Sequence, residues 1–174
     1  GTLAIEATLM AVNRAPGRRR PNFGIKHIKD FDEQALNTLR SELKQAAIKE
    51  FEGRIIATDH DPKAIEAAKR NAKTAGVDQY IEFKCSPFEE TEIPEGEGVV
   101  VFNPPYGQRL GEEQKLQPLY RSIGDFFKQH CSGKWGYVFT GNFKLAKQVG
   151  LRSSQRIEMY NSTIECRLLE FELY

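Results

Sequence analysis

Apolar positions along this chain keep two rhythms, one helical and one of strands, and they alternate. The opening TLAIEATLMAVNRA sets Leu3, Ile5, Leu9, Met10 and Val12 at helical spacing. A loop punctuated by proline and glycine follows, PGRRRPNFGIKHIK. Next, DFDEQALNTLRSELKQAAIKEF predicts a long helix with Leu36, Leu39, Leu43, Ala47 and Phe51 on one face. The short run Ile55-Ile56-Ala57 reads as a buried strand. Asp61 is a good N-cap, with Pro62 at the first helical position. Ala64, Ile65, Ala68, Ala72 and Ala75 then give a small-residue face, and Gly76 closes the helix. QYIEFK, GVVVF and KWGYVFTGN read as further strands. A helix is expected within LQPLYRSIGDFFKQHC, beginning after Pro118. The tail, QRIEMYNSTIECRLLEFEL, alternates on both sides of Asn161-Ser162, the pattern of a hairpin.

Strand–helix alternation ending in a hairpin implies an α/β fold, a mostly parallel sheet with an antiparallel C-terminal edge. At 174 residues the chain fits one domain, read here as 1–174. Charged residues at 28% and apolar ones at 40% are ordinary for a soluble globular chain. A net charge of +1 makes any basic surface a local one. The local candidate is the loop from Arg14 to Lys29, where Arg14, Arg18, Arg19, Arg20, Lys26 and Lys29 occur without an acid. No window suits a membrane span, and the opening lacks the form of a secretory signal. Cys85, Cys131 and Cys166 are odd in number and form no CxxC pair, so no metal and a reducing, cytoplasmic setting are expected.

Two strands run into conspicuous polar groups, and ligands of doubly wound sheets bind beyond the carboxyl ends of strands. Asp59 follows RIIAT; an ionised carboxylate there can accept hydrogen bonds from both hydroxyls of a ribose. Asp61 already fills the helix cap, which leaves Asp59 for a ligand. The other strand, VVVF, ends in Asn103-Pro104-Pro105-Tyr106-Gly107. Two prolines cannot continue a central strand. They can hold a backbone carbonyl rigidly beside the Asn103 side-chain oxygen. Together these acceptors can take both hydrogens of a purine's exocyclic amine and turn its nitrogen toward tetrahedral geometry, freeing the lone pair. Tyr106 offers a face on which an unstacked base can lie, and Gly107 allows close approach.

The Asn-Pro-Pro-Tyr corner resembles the (D/N/S)PP(Y/F) motif of class I S-adenosylmethionine-dependent methyltransferases that modify exocyclic amines. TDHDPKAIEAAKRNA looks like their adenosine-binding stretch. GTLAIEATLMAVNRAPG, NPPYGQRLG and YNSTIECRLLEFEL resemble segments of the THUMP-associated ribosomal RNA methyltransferases. The likeness spans nearly the whole chain. It implies a Rossmann-like fold lacking its first strand and most of the glycine-rich cofactor loop, with S-adenosylmethionine as cofactor. It implies methyl transfer to N2 of a guanine in large-subunit ribosomal RNA, and a THUMP module upstream. By residue, it implies cofactor contacts at Gly1, Thr2, Asp59, His60, Ser86 and Asn103. Asn103, Pro104, Pro105 and Tyr106 would be the catalytic corner. Where such proteins carry an acid after the third strand, this chain has Cys85-Ser86-Pro87, so Ser86 or the next backbone N–H would substitute. The chain alone is accordingly expected to bind the cofactor weakly or not at all.

Arg18, Arg19 and Arg20 are the residues expected on RNA phosphates. The corner by itself suits N6 of adenine as well as N2 of guanine; only the flanking segments favour guanine. A silent RNA-binding module of the same fold is the reading from another class, and an intact Asn103 and Tyr106 argue against it.

Overall fold

The computed structural model describes residues 1–17, 20–107 and 112–174. The chain divides into two compact units, Gly1–Thr91 and Glu92–Tyr174.

In the first unit, helix α1 (Thr2–Ala11) starts from Gly1, and helix α2 (Glu33–Gln45) is capped by Asp32, whose side chain accepts from Ala35 N at 2.9 Å. Strand β1 (Ile55–Asp59) leads into helix α3 (Pro62–Ala75), and strand β2 (Ile81–Cys85) pairs with β1 in parallel, Asp59 opposite Cys85. The α3 ends follow the expectation. The Asp61 carboxylate accepts from Lys63 N at 2.9 Å, Pro62 opens the first turn, and Gly76 closes at φ 75°. Ile65, Ala68 and Ala72 are the buried positions of α3. Ile5 and Val12 pack with Ala72, Val77 and Ile81 in this unit's core, with Ile55, Ala57 and Phe83 against them. Thr8 of α1 is also fully buried, and its hydroxyl is satisfied by donating back to Ala4 C=O at 2.6 Å. Helix α2 is the exception to the sequence pattern. It is shorter than its apolar spacing suggests, and none of its residues is buried.

In the second unit, β3 (Val99–Phe102) and β4 (Trp135–Thr140) pair in parallel. The antiparallel hairpin β5 (Gln155–Asn161) and β6 (Ile164–Glu172) completes the order β3-β4-β6-β5. Among the described residues, one of this sheet's three pairings is parallel, as is the β1–β2 pairing of the first unit, and both antiparallel ones involve the C-terminal hairpin. Ser162 takes φ 56° in its turn, where the sequence places the reversal. Helix α4 (Glu112–His130) starts ahead of Pro118 rather than after it. A proline inside a helix forgoes one backbone hydrogen bond, and here the buried face of Tyr120, Ile123, Gly124, Phe126 and Phe127 offsets that loss. Phe127 meets Phe102 and Phe171 at ring-centroid distances of 5.5 and 5.8 Å. Gly124 has no room for a side chain, since a Cβ there would lie 1.8 Å from the Val149 carbonyl oxygen. Helix α5 (Phe143–Ala146) is a single turn capped by Asn142.

Candidate active site

The corner after β3 lines an open cleft of about 500 Å³ within the second unit. Asn103, Pro104, Pro105, Tyr106 and Gly107 form one side, and Glu112, Asn161 and Ile164 complete it. The sequence reading reached the first five. It missed the others, because the side of a hairpin and the first turn of a helix carry no local motif that announces a pocket.

Each part of the corner is held by a different neighbour. The Tyr106 hydroxyl donates to Asn103 Oδ1 at 2.9 Å. The Tyr106 ring stands edge-on to Phe139 at 6.2 Å and 83°. Gly141 makes the space for it, because a Cβ there would lie 3.1 Å from Tyr106 Cδ2 and 2.9 Å from an Ile164 methyl. The side chain of Asn142 donates to the Tyr106 carbonyl at 2.9 Å, and its Oδ1 caps α5 through Lys144 N and Leu145 N. Tyr120, fully buried on α4, donates to the Pro105 carbonyl at 3.2 Å. Among the described residues, none donates to the carbonyl of Pro104. Gly107 turns at φ 65°, and Pro104 is buried while Asn103 is exposed.

Burial pushes the Tyr106 hydroxyl above its ordinary value, opposed in part by the side chain of Asn161. The phenol therefore stays protonated through the neutral range and remains a donor to Asn103. Burial raises Tyr120 in the same direction.

In the first unit, Asp59 ends β1 with its carboxylate half-exposed. One oxygen, Oδ1, accepts from Asp61 N at 2.9 Å, so Asp59 also braces the turn into α3. Among the described residues, no hydrogen bond reaches Oδ2. That leaves a half-exposed carboxylate oxygen at a strand's carboxyl end, which fits a ribose hydroxyl. Exposed His60 lies beside it, Nδ1 3.6 Å from Asp59 Oδ1. Ser86 N donates to the Asp59 carbonyl at 3.1 Å, which brings the ends of β1 and β2 together. That bond uses the backbone N–H of Ser86, and Pro87 has none, so only the Ser86 hydroxyl or a later N–H is left for a ligand. Gly1 caps α1 against α3, where a Cβ would lie 2.6 Å from that of Ala68; Thr2 begins the helix.

Of the basic loop, Arg18 and Arg19 lie outside the described residues. Arg20 stands over the Phe23 ring at 6.0 Å. Arg14 serves the fold, donating to the Gly76 carbonyl and lying over the Tyr80 ring at 5.5 Å. Among the described residues, no three His, Cys, Asp or Glu are grouped as a metal would need, and no helix is long and apolar enough to cross a membrane.

Residues 1–170 match the family described as RMKL-like, methyltransferase domain. A relative from Syntrophotalea carbinolica, named ribosomal RNA large subunit methyltransferase K/L, is 40% identical over 99% of this chain and 25% of its own length. The solved structure of SMU.472, a methyltransferase by name and complexed with SAH, superposes with a TM-score of 0.91 at 25% identity, covering 100% of this chain and 46% of that one. A chain from Listeria monocytogenes, named as an N6-adenine-specific DNA methylase, gives a TM-score of 0.86 at 31% identity, covering 98% of this chain and 43% of that one. The chain thus spans between a quarter and just under half the length of these proteins, and it shares their Rossmann-like methyltransferase fold.

Proposed function

The chain belongs to the RMKL-like methyltransferase domain family, and from that premise we propose that residues 1–174 form the catalytic domain of an S-adenosylmethionine-dependent enzyme that methylates N2 of a guanine in large-subunit ribosomal RNA. The observation that carries the amine-methylation reading is the corner itself, while the choice of guanine rests on the segments that flank it. Two of its carbonyls, of Pro105 and Tyr106, are occupied from within the fold, and the Asn103 oxygen is oriented by the Tyr106 hydroxyl.

The chemistry follows from those acceptors. When bound, S-adenosylmethionine supplies an electrophilic methyl group on its sulfonium. The second lone pair of Asn103 Oδ1 and the carbonyl of Pro104 would accept the two amine hydrogens of the flipped base, which frees the nitrogen lone pair for transfer. As the N–C bond formed, the methyl–sulfur bond would break to leave a neutral thioether, and the amine would give up one of those protons to water. Tyr106 stacks on the base, an interaction worth about 1–3 kcal/mol on other aromatic platforms. The Asp59 carboxylate holds the ribose of the cofactor, with His60, Ser86, Gly1 and Thr2 around the same ligand. Arg18, Arg19 and Arg20 neutralise RNA phosphates. SAH in the SMU.472 structure is what S-adenosylmethionine becomes after transfer, and it supports this choice of donor. The shorter span of this chain against its relatives supports an RNA-binding THUMP module elsewhere in the parent protein. Ribosomal RNA as substrate and three unpaired cysteines support a reducing, cytoplasmic setting.

The name of the Listeria neighbour favours a second reading, transfer to N6 of adenine. One experiment separates the two. The parent gene is deleted, and the nucleosides of purified ribosomal RNA are compared by mass spectrometry. N2-methylguanosine is expected to be lost, restored by the full-length protein and not by its Asn103→Ala form. Loss of N6-methyladenosine instead would establish the second reading, and an unchanged profile would remove ribosomal RNA as the substrate.

A further inference from the structure

Behind the corner lies a buried polar chain that a hydrophobic core does not require. Tyr120 and Thr140 are both fully buried, and their hydroxyls are 2.7 Å apart. The direction of each bond is fixed by what its neighbours can do. The Pro105 carbonyl only accepts, so Tyr120 spends its proton there, at 3.2 Å. Thr140 must then be the donor to Tyr120. The Thr140 oxygen in turn accepts from Asn142 N at 3.1 Å. The chain therefore runs from Asn142 N–H through Thr140 and Tyr120 to Pro105, with every member satisfied. Asn142 anchors a second point as well, the carbonyl of Tyr106.

Between these anchors and Asn103 sits Pro104, whose carbonyl is one of the two amine acceptors of the proposed reaction. Proline fixes φ at residues 104 and 105, so the remaining freedom of the Pro104 carbonyl lies in rotation of the peptide plane it shares with Pro105. Holding the next carbonyl along, that of Pro105, restrains that rotation, because turning the Pro104 plane would displace Pro105 from its bond to Tyr120. We propose that Tyr120, acting through Thr140, is a positioning residue for methyl transfer, which fixes the Pro104 carbonyl in the direction of the reacting amine. The inference rests on the proposed reaction and adds residues outside the Asn-Pro-Pro-Tyr motif to its machinery. An acceptor set in advance costs no reorganisation during the reaction, and misplacing such a group by about 1 Å can cost up to about a hundredfold in rate.

The test uses the full-length protein and ribosomal RNA from a strain lacking the parent gene. Single-turnover methyl transfer and the KM for RNA are measured for Tyr120→Phe, Thr140→Val and the double variant. Ile123→Val, a buried change on the same helix, serves as a control for stability. Each single variant is expected to lose on the order of tenfold in the single-turnover rate, with KM within about twofold of the parent. The double variant should be no slower than the worse single one, because both break the same chain. The Ile123→Val control should keep its rate even where its melting temperature falls as far. The inference is overturned if Tyr120→Phe keeps its rate, if the losses multiply, or if the control slows equally. A wild-type protein that moves no methyl group onto this RNA overturns the proposed function, and the inference falls with it.

Discussion

The hydroxyl of Tyr106 donates a 2.9 Å hydrogen bond to Oδ1 of Asn103, so one side chain of the corner orients the other. An amide group can present either oxygen or nitrogen, and only oxygen can accept an amine hydrogen. The phenol fixes that choice and leaves the second lone pair of Oδ1 for the base. Tyr106→Phe should therefore keep the stacking face and lose the orientation. The expected result is RNA affinity within about twofold and a transfer rate lower by roughly five- to tenfold, given the ~1 kcal/mol of a neutral hydrogen bond. Tyr106→Ala should lose both. Rates from single-turnover transfer, set beside RNA affinities, separate the two effects.

Asp59 has one observed duty and one proposed duty, and one substitution divides them. Its Oδ1 braces Asp61 N, which an asparagine oxygen would also do, whereas the charge is what a ribose hydroxyl would meet. In the full-length protein, Asp59→Asn should leave the melting temperature nearly unchanged and weaken S-adenosylmethionine binding about tenfold or more, since hydrogen bonds to charged groups contribute roughly 1.5–3 kcal/mol. Calorimetric titration with the cofactor reads the change directly, and undiminished affinity would remove Asp59 from the site.

The proposal that Arg18, Arg19 and Arg20 meet RNA phosphates is tested for all three together by the salt dependence of RNA binding. Replacing all three with alanine should lower affinity at low salt and reduce the slope of log K against log salt by about two, near 0.7 for each single-strand phosphate no longer neutralised. An unchanged slope would make this loop a solvated connection. Arg14 belongs apart from that group, because its guanidinium is committed to Gly76 and Tyr80.

Much of the site was legible because it is written in consecutive residues. The strand-ending corner of Asn103 to Gly107, the cap at Asp61, the closure at Gly76 and the turn at Ser162 each follow from local chemistry. Proline lacks a donor, aspartate accepts from free amides, and glycine takes positive φ. The supports of the corner were not legible. Tyr120 sits at a spacing that reads as an ordinary core position of an amphipathic helix, and nothing local tells a packed ring from a bonded hydroxyl. Thr140 and Asn142 read as the end of a strand, although Asn142, two residues beyond it, is also a residue type suited to an N-cap, which was the available clue. Pro118 misled in the other direction. The expected break fails because tertiary burial of the α4 face outweighs one missing hydrogen bond. For α2 the apolar spacing promised burial that none of its residues attains.

Helix α4 touches the segment after α5 at its one residue without a side chain. Gly124→Ala would drive a methyl group to 1.8 Å from the Val149 carbonyl oxygen, and the obstacle is backbone, which cannot rotate aside. The helix must shift. A loss of roughly 1–3 kcal/mol or more is expected, read as a lowered denaturation midpoint, despite the better helix propensity of alanine.

The cysteines should separate by reactivity. Burial pushes the Cys131 thiol up to about 11, whereas Cys85 is exposed. Only the thiolate is alkylated, so iodoacetamide at about pH 8 should label Cys85 in the folded protein and spare Cys131 until denaturant is added. The sign of the stability effect follows. The folded thiol holds its proton above the unfolded value of 9.0, so this contribution is intact below that value and is lost as the pH rises toward about 11.

The two sides of the cleft are not equally firm. Asn103 to Gly107 are tied back to a buried tyrosine, through it to a threonine, and to a helix cap, while Asn161 ends β5, which among the described residues pairs on one side only and is exposed along its whole length. Segments with few buried contacts open at a lower free energy than packed ones. The cleft is thus built like a vise, with one jaw cast into the frame and the other sprung. Any adjustment to the size of an incoming group falls to the sprung jaw, and the acceptors that would do the chemistry stay where the frame holds them.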